Sequence, residues 1–267
     1  MPLYQIRDVA LSVNVSSEGR PILFVHGFPF DGSMWDAQVV ALQEAGGARV
    51  VVPDLRGFGA SGPGEVDEWT MDVFADDLAG LVERLELGPT VVCGLSMGGY
   101  VAFAFWRRHR ELCRGLVLAD TRAEADTEAG RANRREMAER VRAEGAGFVA
   151  DALLPKLLSG RTRRERPAVV ERVRAMIDAT PAFAIRRAQL AMAARPDSTR
   201  DLPEIDVPVL VVAGEEDALI PVDVTERMAT RIPGARLELV PDAGHLAPME
   251  DPTAFNQALT KWMATLR

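Results

Sequence analysis

Six short apolar runs punctuate the chain: PILFV at 21–25, RVVVP at 49–53, TVVCG at 90–94, GLVLA at 115–119, PVLVVAG at 208–214 and RLELV at 236–240. Most are apolar on both faces, where a half-wet strand would alternate. They predict strands buried in the middle of a parallel sheet. Between them, helical length and period predict helices over 34–44, 70–87, 97–109, 222–232 and 253–266. Strand and helix in alternation predict an α/β fold, a doubly wound, mostly parallel sheet covered on both faces. The alternating segment 11–15 predicts an added antiparallel edge strand.

The rhythm breaks between 121 and 202, where no strand-like run occurs and helical, Arg-rich patterns follow one another. This predicts a helical cap, 121–202, inserted into a core built from 1–120 and 203–267. The insertion holds 17 of the chain's 31 Lys and Arg residues against a dozen acids, so it is net positive in a chain of net charge −8. The plainer reading of that charge is solvated outer helix faces. The functional one is a cap that closes over a site and draws in anionic substrates.

Composition narrows the field. A chain of 267 residues suffices for one α/β domain with an insertion, and 48% hydrophobic with 26% charged residues is ordinary for a globular protein. An acidic whole, with pI near 5.1, argues against a nucleic-acid partner. The opening segment lacks a cationic start followed by an apolar run, so no secretion signal is expected. No stretch approaches about 18 uninterrupted apolar residues, so no membrane partner is expected either. Two cysteines, Cys93 and Cys113, do not make a disulfide framework, and a cytoplasmic location is the default expectation. Three scattered histidines without zinc-ligand spacing give no reason to expect a metal.

The chemistry concentrates at Gly94-Leu95-Ser96-Met97-Gly98, where a strand pattern runs straight into a helix pattern. A G-x-S-x-G sequence in that context predicts a nucleophile elbow: a tight, strained turn that exposes a serine at the carboxyl end of the sheet. Ser96 is the candidate nucleophile. It needs a base, and only three histidines compete. His109 ends the helix after the serine and reads as a solvated cation. His26 follows the PILFV strand and reads as a loop-fixing residue. His245, past the last strand, is the candidate base. The acid should lie between serine and histidine in the chain. Asp217, three residues beyond the PVLVVAG strand, is the candidate; Glu215, Glu216 and Asp120 are its rivals. A tetrahedral intermediate requires two N–H donors, and the candidates are the backbone amides of Met97 and Phe28.

With HGFP at 26–29, DLRGFGAS at 54–61, GLSMGG at 94–99, AGEEDALIP at 213–221 and DAGHLAPMEDP at 242–252, the chain resembles the α/β-hydrolase superfamily along nearly its whole length. The set looks most like small bacterial serine carboxylesterases, enol-lactonases and cofactor-free haloperoxidase-perhydrolases. The resemblance implies ester or lactone hydrolysis without a cofactor, through an acyl-enzyme on Ser96, His245 and Asp217, with a small-molecule ester or lactone as partner. Perhydrolysis, lactone opening and carbon–carbon bond hydrolysis use the same triad and stay open, as does a non-catalytic ligand-binding role. Self-assembly into a homo-oligomer stays open too. In the DLRGFGAS loop, Asp54 and Arg56 are expected to form a local ion pair. Phe148, Leu153, Leu157 and Phe183 of the cap, and Trp35, are placed either to line a pocket or to pack the interior. The stretch DTRAEADT at 120–127 resembles a cap entry without an assignable role.

Overall fold

The computed structural model describes residues 1–16 and 18–266. Its centre is an eight-stranded sheet. The strands are β1 (Leu3–Ile6), β2 (Val9–Ser16), β3 (Arg20–Val25), β4 (Ala48–Pro53), β5 (Thr90–Leu95), β6 (Cys113–Ala119), β7 (Val209–Gly214) and β8 (Arg236–Val240). Their order is β1-β2-β4-β3-β5-β6-β7-β8. The pairs β1/β2 and β2/β4 are antiparallel and all others parallel. The expected mostly parallel α/β sheet is therefore present. The segment predicted as an edge strand lies instead inside the sheet, because β1 pairs with it and takes the edge. Four residues with Leu3 exposed gave β1 too little apolar signal to be read from sequence.

The apolar runs divide between the two faces with period two. Leu23, Val25, Val92, Leu116 and Val211 join α2 (Met71–Arg84), α3 (Met97–Arg108) and α9, the helix Val222–Arg231, in one core. Ile22, Phe24, Val91, Val117 and Leu210 join α1 (Asp36–Ala45) and α11 (Pro252–Met263) in the other. Trp35 belongs to this second core, fully buried against Phe24 and Phe255, and is not among the residues lining the cavity that holds Ser96. Side-chain caps fix several helix starts: Thr70 accepts from Val73 N–H and Asp251 from Ala254 N–H.

Between β6 and β7 the chain forms five helices: α4 (Glu128–Glu144), α5 (Val149–Leu157), α6 (Gly160–Glu165), α7 (Pro167–Ala179) and α8 (Ala182–Ala194). A last short helix, α10 (Ala247–Glu250), precedes α11. Among the described residues no helix is long and apolar enough to cross a membrane.

Arg56 and Asp54 do not pair. Asp54 accepts from the N–H groups of Gly32 and Ala60, bracing the loop after β3. Arg56 turns the other way, fully buried, and grips Asp77 of α2 at 2.6 and 2.7 Å and Asp8 at 2.9 Å. The Arg56 partners lie 21 and 48 residues away along the chain. The Arg56 guanidinium holds Asp8 well below the usual carboxylate range. Arg56→Met leaves buried Asp77 with the longer Arg7 contact at 3.4 Å in place of a close ion pair, and it is expected to lower the unfolding free energy by about 3–5 kcal/mol. Urea unfolding reads this; an unchanged midpoint would contradict it.

Candidate active site

The site residues stand at the carboxyl ends of parallel strands, around the point where strand order reverses between β3 and β5, the usual place for a site in such sheets. Ser96 ends β5 and begins α3 with φ 53° and ψ −109°, a left-handed backbone that only a surrounding structure can hold. The flanking glycines make this turn possible. A Cβ on Gly94 would lie 2.1 Å from the carbonyl oxygen of Gly98, and one on Gly98 would lie 2.2 Å from that of Val25. Two hydrogen bonds tie the turn to the chain leaving β6: Ser96 N–H donates to Ala119 O at 2.9 Å, and the Thr121 hydroxyl donates to Ser96 O at 2.8 Å.

His245 follows β8 and is 3% exposed. Its Nε2 stands 2.8 Å from the Ser96 hydroxyl and its Nδ1 2.8 Å from the Asp217 carboxylate. The other Asp217 oxygen accepts from the N–H groups of Leu219 and Ile220, at 2.8 and 2.9 Å, which aims the carboxylate at the ring. A carboxylate accepts, so Nδ1 carries the proton and Nε2 is left to accept from the serine. The structure thus brings Ser96, His245 and Asp217 into one hydrogen-bonded chain.

The rivals sit elsewhere. Glu215 and Glu216 are exposed, the latter accepting from Gly160 N–H. Asp120 is buried and bonds Gly214 N–H at 2.8 Å rather than the histidine. Burial, and then the neighbouring Asp217 charge, push its pKa well above the usual carboxylate value. His26 is fully buried, accepting from Leu55 N–H at Nε2 and donating from Nδ1 to Gly27 O, each at 3.0 Å. Burial lowers its pKa, so its ring is a neutral strut between the loops after β3 and β4. His109 is not simply solvated: its Nε2 meets Asp76 at 2.9 Å.

Phe28 lines the same cavity as Ser96 and His245, and Met97 N–H begins the helix beside the serine. Among the described residues neither backbone N–H meets an acceptor. Two carbon-rich side chains of α5, Leu153 and Leu157, also line the cavity, whose volume is about 160 Å³. Phe148 and Phe183 do not. Arg140 lies over the Phe148 ring, and Phe183 packs edge-on to Trp69. Among the described residues no cluster of three or more His, Cys, Asp or Glu side chains is arranged to hold a metal ion.

The histidine loop is fastened to the inserted helices. His245 N–H donates to Leu157 O at 3.0 Å. Buried Glu250 accepts from Ser159 N–H at 2.8 Å with one oxygen and from Gly244 N–H at 2.9 Å with the other. Sequence reasoning missed Glu250, since one acid in a run of loop residues carries no sign of what it will bridge. Glu250→Gln keeps one acceptor oxygen and strands one buried N–H, and is expected to cost about 1–3 kcal/mol of stability. Denaturant unfolding checks this, and equal stability of the two proteins would refute the bridge's importance.

The profile of the alpha/beta hydrolase fold family matches residues 20–252. The chain belongs to this family. Among solved structures it is similar to a thermophilic esterase from Thermogutta terrifontis, determined with malate bound. That likeness is 44% identity, 100% of this chain and 99% of the other, with a TM-score of 0.96. It is also similar to the enol-lactonase from Burkholderia xenovorans LB400, 27% identical over 98% of this chain and 100% of the other, with a TM-score of 0.90. A further relative is the non-heme chloroperoxidase CPO-A1 of Kitasatospora aureofaciens, 28% identical over 98% of this chain and 99% of that one. These α/β-hydrolase relatives span the three activities that the sequence resemblance had implied.

Proposed function

We propose that this α/β-hydrolase cleaves small carboxylic esters or lactones through an acyl-enzyme. The observation that carries the reading is the continuous hydrogen-bonded chain from Asp217 through His245 to Ser96, opening on a small cavity. In this mechanism His245 Nε2 takes the Ser96 proton as the hydroxyl oxygen attacks the carbonyl carbon. The N–H groups of Phe28 and Met97 donate to the oxyanion, each contributing about 2.7–4 kcal/mol in rate. As the tetrahedral intermediate collapses, His245 returns the proton to the leaving alkoxide, which departs as the alcohol. Water then attacks the acyl-Ser96 with His245 again as base, releasing the acid. Residues 121–202 act as the cap, and Leu153 and Leu157 of α5 form the apolar wall that excludes water.

Size sets the substrate class. A cavity near 150 Å³ accommodates about one benzene-sized group, and this one measures about 160 Å³. Hydrolysis of p-nitrophenyl acetate, butyrate and octanoate tests the reading. The expected result is rapid turnover of the two short esters and a steep fall at octanoate. Equal rates at all three lengths would refute the small-acyl assignment, and no turnover of any would refute ester hydrolysis.

The chloroperoxidase relative favours a second reading on the same residues, in which hydrogen peroxide replaces water at the acyl-enzyme and a peracid leaves. Peracid formation outpacing hydrolysis in peroxide would establish it.

A further inference from the structure

Part of the cavity's lining is cationic. Arg122, on the chain leaving β6, and Arg134, on α4, both line it together with Tyr100, Gln189, Ser96 and His245. Among the described residues no Asp or Glu lines it. The guanidiniums are held from behind by one carboxylate. Asp126, 6% exposed, accepts from Arg122 Nη2 at 2.8 Å, from Arg134 Nε, and from Arg195 Nη2 at 2.9 Å. Three positive charges share that single negative one. Arg195 is turned away from the cavity, bonding the carbonyl oxygens of Met192 and Glu124 and lying over the Tyr100 ring. The two cavity arginines are fixed in place yet incompletely satisfied. Arg134 Nη1 has only neutral acceptors, Gln189 Oε1 at 3.2 Å and Met192 Sδ at 3.3 Å. Arg122 Nε is buried without a partner among the described residues.

A guanidinium facing an amide oxygen and a thioether gains more from a carboxylate, because charge-assisted bonds are shorter and about twice as strong as neutral ones. Fixing the side chains beforehand removes much of the ordering cost that a surface arginine meets on binding. We propose that Arg122 and Arg134 form a carboxylate-recognition subsite, so that the preferred substrate is a short ester or lactone bearing a carboxylate a few bonds from the scissile carbonyl. The inference rests on the proposed ester chemistry for its kinetic consequence, while the subsite itself binds independently of turnover. It gives the positive charge of the insertion a role at the site, where, among the described residues, Arg122 and Arg134 are the cations that line the cavity.

The kinetic test compares mono-p-nitrophenyl glutarate with p-nitrophenyl valerate, which has the same acyl chain length and no terminal charge. The charged ester is expected to have a kcat/KM about 10- to 100-fold higher, the range for a buried hydrogen bond to a charged group. In Arg122→Gln and Arg134→Gln the ratio falls toward one, chiefly through the KM of the charged ester, and Arg134→Lys restores part of it. A wild-type ratio of one or less, or a ratio that neither Gln variant changes, overturns the proposal. Asp126 keeps two cationic partners in either single variant, and calorimetry supplies a second readout that needs no catalysis. Glutarate is titrated into Ser96→Ala and into the double variant Ser96→Ala/Arg134→Gln. Tight binding to the first and at least about tenfold weaker binding to the second supports the subsite; equal affinities overturn it. If neither ester turns over but glutarate binds in an Arg134-dependent way, the ester reading has failed and the subsite stands.

Discussion

Ser96→Ala is expected to lower kcat on p-nitrophenyl butyrate by about 10⁶-fold, the loss typical when the nucleophile of a serine triad is removed. Three features make the expectation this large. Ser96 is the oxygen that His245 Nε2 reaches at 2.8 Å. Among the described residues lining the cavity, no other Ser, Thr or Cys is present. The cavity also admits His245 and Ser96 together, leaving attack by water as the alternative route. Residual activity above the uncatalysed rate is expected, since two N–H donors and a binding cavity remain and account for about 10³–10⁴-fold in serine enzymes. The measurement is a burst and steady-state assay of both proteins. Equal rates would show that the nucleophile is another residue or a water.

The next largest effect separates two aspartates. Asp217→Asn is expected to lower kcat by about 10⁴-fold. The N–H groups of Leu219 and Ile220 demand an acceptor, so the new amide keeps its oxygen toward them and turns its NH₂ toward His245. Nδ1 must then accept, the proton moves to Nε2, and the ring no longer serves as base for Ser96. Asp120→Asn is expected to keep kcat within the same order of magnitude, since the backbone N–H groups of Gly214 and Ala247 that it meets need only an oxygen. A loss at Asp120 as deep as that at Asp217 would make Asp120 the orienting acid.

The Asp120 variant also has a signature in stability. Burial first, and the Asp217 charge second, raise the folded-state pKa of Asp120, so the folded protein holds that proton to higher pH than the unfolded chain does. Between the ordinary carboxylate pKa and the raised one the native state binds more protons, and stability falls as pH rises. Asn removes this ionisation. Asp120→Asn is therefore expected to unfold at higher denaturant at neutral pH, with the gain shrinking toward the ordinary carboxylate pKa as pH falls. A gain that grew toward acid would contradict the sign.

Strands buried on both faces leave continuous Val, Leu and Ile runs, so β3 to β7 were legible from composition over five to seven residues, and β8, half-buried with Glu238 in its middle, more faintly. Two exposed residues of four in β1 broke the same signal. Helix ends shifted by a few residues, as at α11, which Asp251 caps so that it starts at Pro252, one residue before the predicted start. That Ser96, His245 and Asp217 would meet was legible because each stands beyond a strand of a parallel sheet, and chain order alone carries such strand ends to one edge. The place of Phe28 beside the same cavity was legible for the same reason, three residues past β3.

Side-chain partnerships were not legible. Arg56 was expected to find Asp54 two residues away and found Asp77 and Asp8 instead. His109 was expected in solvent and found Asp76. A charge selects a partner by distance in space, and the sequence reports distance along the chain. Arg122 and Arg134 show the same limit most sharply. In the sequence they are two of many arginines in a helical stretch. Their meeting with Ser96 depends on the path of the chain out of β6, on the packing of α4 against α8, and on Asp126 lying where three guanidiniums converge. Local pattern and chain order carried the fold and the sheet edge where Ser96, His245 and Asp217 meet, because backbone hydrogen bonding and burial recur with fixed periods. The shape and charge of the cavity were decided by contacts between helices far apart in the chain, which no periodicity encodes.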